Sequence, residues 1–224
     1  MKYFLLLFFI PLSNARATEL LTNSTRFQNP PKWLTSTRVN RIADNIQSKM
    51  EWSIRRAQVI WYSNQADFQQ AHKMGEAPIA VSNKTTNTIH LGPKVTTENF
   101  DQVFGHELVH IVSYQKYKES IPKWLEEGFA NSLAKAGKVD YPWLARQKRP
   151  EDVRSLIHPL NGSPDHIRFH YMASQALVEM LSAKCDIRNL MRLSVGMKME
   201  PYIQTYCNIP DLNKAFDQWV TAKK

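Results

Sequence analysis

Residues 106–110 read His-Glu-Leu-Val-His, which places two imidazoles four positions apart with a carboxylate beside the first. On a helix, residues four apart stand one above the other on the same face, so His106 and His110 can aim their rings at one metal ion. Neutral imidazole is a good ligand for zinc, and two of them leave room for a third protein ligand and a water. Glu107 flanks that face and can take the proton of such a water. The plainer alternative is a pair of ordinary histidines on an amphipathic helix whose core face is Val103, Phe104, Leu108, Ile111 and Val112.

That helix has local support. Thr96 and Thr97 can cap its start, Glu98 suits the positive end of the helix dipole, and apolar residues recur at helical spacing through Val112. A catalytic zinc site takes three protein ligands and keeps one position open, so a third ligand must come from another element. The segment Ile121-Pro122-Lys123-Trp124-Leu125-Glu126-Glu127-Gly128-Phe129-Ala130 offers one. Pro122 suits a first helical turn and Gly137 a helix end, and Leu125, Phe129 and Leu133 form an apolar stripe. Glu126 and Glu127 both lie on this helix. Periodicity does not choose between them, and either can be a solvated surface charge.

Together, HELVH and PKWLEEGFA resemble the gluzincin metallopeptidases, in which HExxH is followed by Glu in a W-L-x-E-G-x-A segment, and most of all their compact "peptidase MA-like" members. The resemblance selects Glu127, next to Gly128, as third zinc ligand. Sixteen residues separate His110 from Glu127, so the connection through Ser113 to Ser120 must be short. The segment Phe169 to Leu181 resembles the family's tyrosine-bearing helix, which makes Tyr171 the candidate second donor to an oxyanion. A core tyrosine with a satisfied hydroxyl is the alternative, with His166 and His170 as substitutes for the catalytic role. Asn131, four residues after Glu127, stands where related proteins carry an acidic group that orients a ligating histidine. Resemblance also implies a strand bordering the cleft, to whose free edge an extended peptide can add. Thr88, Ile89, His90 and Leu91 are the candidates. The expected chemistry is peptide bond hydrolysis with zinc as cofactor and Glu107 as general base and then acid.

The implied fold is α+β: a zincin-like metallopeptidase domain with a small mixed sheet in an upper lobe and a helical C-terminal lobe. With 224 residues the chain suits one core better than two. Residues 1–17 read as a signal peptide, with an apolar run from Tyr3 to Leu12 and small residues that allow cleavage after Ala15 or Ala17. Residues 18–35 read as a flexible leader and 36–224 as the catalytic domain. Helical spacing runs from Ser36 to Arg56, and again over Ala66 to Lys73. Gln58 to Tyr62, Ala77 to Ser82 and Thr88 to Leu91 read as strands. Helices are expected at Phe169 to Ala183, Ile187 to Val195 and around Leu212 to Val220.

No later segment has the long apolar run of a transmembrane helix, so a periplasmic or secreted location is expected. Cys185 and Cys207 fit one disulfide in such a compartment, with two buried free thiols as the alternative. The chain carries 29 basic and 20 acidic residues, a formal charge of +9. That suits anionic surfaces without identifying a partner, and no nucleic-acid motif accompanies it. The expected partner is a peptide or protein, cell-wall peptide included, and the expected state a monomer. Two competing classes stand beside the enzyme. One is a zinc-holding but non-catalytic peptide or cell-wall binding module, against which the intact Glu107 argues. The other is a metal-free surface protein with a chance motif.

Overall fold

A computed structural model describes residues 18–75, 78–134, 137–157, 159 and 162–224. The expected signal peptide, residues 1–17, lies outside them. The described chain is α+β, with five short strands in one mixed sheet and nine α-helices. The strands are β1 (Glu19–Leu21), β2 (Thr25–Gln28), β3 (Ala57–Trp61), β4 (Ala80–Asn83) and β5 (Thr88–Leu91). They lie in the order β1-β2-β3-β5-β4. The inner strands β2, β3 and β5 run parallel, and β1 and β4 close the two edges antiparallel.

Helices α1 (Ser36–Met50) and α2 (Gln65–His72) form the β-to-β connections, and α3 (Phe100–Tyr117) and α4 (Lys123–Leu133) follow the sheet. Beyond them come α5 (Tyr141–Ala145), a short 3-10 turn (Val153–Ser155), α6 (Pro164–Lys184), α7 (Ile187–Ser194), α8 (Met199–Thr205) and α9 (Leu212–Lys223). Buried side chains from Phe27 to Val220 form one continuous hydrophobic cluster. Cys185, at the end of α6, is bonded to Cys207 just after α8. Among the described residues no helix is long and apolar enough to cross a membrane.

Three expectations change. Residues 18–35 are not a loose leader: β1 and β2 form a hairpin, and β2 pairs with β3 in register Phe27↔Val59. Phe27 is fully buried against Phe100 and Phe104 of α3, so the sheet is completed by residues whose strands are too short to show a period. The helix expected to reach Arg56 stops at Met50, because Glu51 takes the left-handed conformation (φ 49°) and its N–H returns to the carbonyl of Gln47. The strand expected over Ala77 to Ser82 begins at Ala80, and Ala77 lies outside the described residues.

A fourth change bears on the site. Thr88, Ile89, His90 and Leu91 form β5, which has β3 on one side and β4 on the other. Both its edges are paired, so it has no row of free main-chain groups to offer. Ile89 and Leu91 are fully buried. The free edge on this side of the sheet belongs to β4.

Candidate metal centre

The site is built on α3 and α4, two helices joined by a tight connection. The expected Thr96/Thr97 cap is replaced by Asn99 at the cap position; its side chain instead accepts the Thr96 N–H, and Thr96 Oγ1 accepts the N–H of Glu98. At its other end α3 continues well past the second histidine to Tyr117, then reverses at Lys118 (φ 56°). The connection is therefore residues 118–122, shorter than the sequence suggests. Pro122 is the cap residue of α4, which ends at Leu133, ahead of Gly137.

Within α3 the four-residue spacing works as local geometry requires. His106 Nε2 and His110 Nε2 are 3.1 Å apart. Glu127 Oε2 on α4 lies 3.5 Å from His106 Nε2 and 3.4 Å from His110 Nε2. These three atoms form a near-equilateral triangle and can hold a metal ion. His106 and Glu127 side chains retain 12% exposure each, and His110 8%, so the centre opens to one side only.

That side is a cleft of about 500 Å³ between the edge strand β4 and α6. Glu107 and Tyr171 line it, together with Val81 and Ser82 of β4. The Tyr171 ring centroid is 6.2 Å from that of His106. Burial pushes the Tyr171 hydroxyl well above the ordinary tyrosine range, and the charges of Glu107 and Glu127 push it the same way. The phenol is a neutral O–H donor at any ordinary pH. His166 and His170 pack edge-to-face with each other, and neither lines the cleft.

Gly128 explains how α6 comes so close. A Cβ at this position would lie 2.2 Å from the carbonyl oxygen of Ser174 and 2.6 Å from Val178 Cγ2, both on α6. Only a residue without a side chain lets the two backbones meet there. The same approach brings Tyr171, one turn before Ser174, to the wall that Glu127 occupies.

Asn131 is buried between α4 and α6. Its amide nitrogen donates to the Tyr171 carbonyl (3.4 Å) and contacts Ser174 Oγ (3.5 Å), tying α4 to α6. The carboxylate that faces a histidine is Glu126, whose Oε1 is 3.1 Å from His110 Nδ1. Glu126 is 4% exposed and receives two bonds from Lys84 Nζ (2.7 and 2.8 Å) and one from Lys123 Nζ (3.2 Å). Burial opposes its charge, but the bond from His110 and the nearby cations win and hold it down to about 2. Burial likewise opposes a charged His110, and Glu127 and Glu126 overcome it, raising His110 to about 10. The two shifts report opposite fields: that of two carboxylates on His110, and that of the neighbouring cations on Glu126. Sequence reading held Glu126 only as the alternative to Glu127 and did not single out Lys84. The available signal was the doubled Glu at 126–127, since consecutive helical residues point about 100° apart and cannot serve one purpose. Comparison with known proteins adds no name to this centre: no protein-family model and no curated protein matches the chain.

Proposed function

We propose that this protein is a zinc-dependent peptidase with a zincin-like catalytic domain of gluzincin type, acting outside the cytoplasm. The observation that carries the reading is the meeting of His106, His110 and Glu127 from two helices, with Glu107 and Tyr171 on the same cleft wall. The donor set fits zinc. Three ligand atoms 3.1, 3.4 and 3.5 Å apart are all about 2.0 Å from one common point, the length of zinc bonds to imidazole nitrogen and carboxylate oxygen. Two histidines with one glutamate are a catalytic rather than a structural zinc set, because one position stays open.

When bound, zinc supplies a Lewis acid that polarises the scissile carbonyl and makes a water acidic near neutral pH. Glu107 accepts the proton from that water and returns it to the departing amine. Tyr171 donates its O–H to the oxygen that gains negative charge. Glu126 Oε1, 3.1 Å from His110 Nδ1, favours a proton on that nitrogen and so the tautomer that presents Nε2 to the metal. The free edge of β4 offers main-chain hydrogen bonds to an extended peptide. The bonded cysteines support an exported location.

Zinc content by elemental analysis, together with digestion of a peptide library by wild type and Glu107→Gln, tests this reading. One zinc per chain with Glu107-dependent cleavage is the expected result. Zinc with no cleavage of any peptide moves the reading to the binding module, and no zinc after reconstitution ends it.

A further inference from the structure

The cleft has a charged end that the hydrolytic chemistry does not use. Lys84, in the turn that follows β4, and Lys123, the first residue of α4, both line it. Their ammonium groups converge on a single carboxylate, Glu126, which lies behind the cleft wall rather than on it. Burial and the nearby Lys123 both push Lys84 below the ordinary lysine range, while Glu126 pulls it back up. The cluster thus holds two positive charges against one negative. Lys123 keeps half its side chain exposed (52%), against 15% for Lys84. An ammonium carries three N–H donors, and Lys123 turns one to Glu126. The remaining donors point to a second anion.

We propose that Lys84 and Lys123 form a carboxylate-accepting subsite, so that the preferred peptide carries a carboxylate within about three residues of the bond cleaved. The inference rests on the peptidase reading. The reach follows from the contacts in hand: Lys84 Nζ is 2.7 Å from Glu126 Oε1, which is 3.1 Å from the His110 ring. One extended residue spans about 3.3 Å. The carboxylate can be an acidic side chain or a free C-terminus, since both present the same two oxygens to the lysines.

Binding to the zinc-loaded, full-length Glu107→Gln protein separates these sources without relying on turnover. Fluorescence anisotropy at low salt is measured with short labelled peptides: amides carrying one Glu at successive positions, their Gln isosteres, and a Gln peptide with a free C-terminal acid. At least one carboxylate-bearing peptide is expected to bind about fivefold tighter than its neutral isostere, and which one does so identifies the source. The preference is expected to fall towards unity in Lys123→Gln, to invert in Lys123→Glu and to persist in Lys123→Arg. Equal affinity across the set, no binding of any peptide, or a preference that survives Lys123→Glu overturns the subsite. Carboxylate-selective binding by a wild type that cleaves nothing supports the subsite and defeats the peptidase reading, so the two failures are distinguishable.

Discussion

Glu127 and Glu126 are consecutive on α4, yet they belong to two different regions. Glu127 faces the cleft, within 3.5 Å of both ligating histidine nitrogens. Glu126 faces the sheet, where two lysines and His110 Nδ1 occupy its oxygens. The first region gathers three ligand atoms that can hold a metal ion. In the second, both oxygens accept from lysine ammonium groups, and Oε1 stands 3.1 Å from His110 Nδ1. The difference teaches that carboxylate chemistry here is decided by what is already bound: Glu127 can take a metal ion, and Glu126 is committed to the cations around it. On the proposed reading, the first region does chemistry and the second keeps its geometry.

Substitutions can break or sharpen that contrast. The largest effect is expected on the cleft side. Glu127→Gln should lower zinc affinity by more than about 100-fold, beyond the range typical of groups behind the ligands. Glu107→Gln should keep its zinc while kcat falls by about 10²- to 10⁴-fold, as for loss of a general base. Zinc titration beside peptide turnover reads both. If Glu107→Gln loses zinc, the division between ligand and base is wrong.

On the other side, Glu126→Gln should weaken zinc by about 10- to 100-fold, and excess zinc should restore most of the turnover. Competition with a chromogenic chelator measures this. An unchanged affinity would mean that the contact with His110 has no bearing on the metal, and the two glutamates would be less connected than the geometry implies.

Gly128→Ala tests the approach of α4 to α6. With a Cβ 2.2 Å from the Ser174 carbonyl oxygen, the helices must separate, at a cost of about 1–3 kcal/mol in urea denaturation. Turnover should drop more than zinc content, because Tyr171 moves with α6 whereas the ligands stay on α3 and α4.

The smallest effect concerns acid stability of the metal-free protein. Glu126 is held at about 2 against an ordinary 4.5, so its contribution to folding is complete above 4.5 and is lost as pH falls towards 2. His110, raised from 6.5 to about 10, runs the other way: its contribution is complete below 6.5 and disappears as pH rises towards 10. Denaturation between pH 5 and 2.5 should show a steeper loss in wild type than in Glu126→Gln. Equal slopes would show that the lysine cluster does not stabilise the charge.

What could be read from sequence follows the range of the interactions. HELVH was legible because four-residue spacing becomes a shared face through helical geometry alone, and the Glu107 position comes with it. Glu127 over Glu126 was chosen by resemblance, since the two point about 100° apart but the sequence does not say which direction meets the histidines. Helices α6 and α9 were visible in their apolar periods. The hairpin β1-β2 was not, because three- and four-residue strands are too short to alternate recognisably. Its place in the sheet is set by β3, about thirty residues further on.

By itself, then, the sequence determined two candidate ligands, the candidate base beside them and the helices that carry them, all properties of bonds and contacts within a turn or two. Tertiary structure decided the rest. It chose which strand keeps a free edge, placing β5 inside and β4 at the rim, because hydrogen bonding between strands is non-local. It also turned one of two identical side chains towards the cleft and buried the other against Lys84. The charge of a buried carboxylate is tolerable only where remote cations meet it, and no local pattern records that meeting.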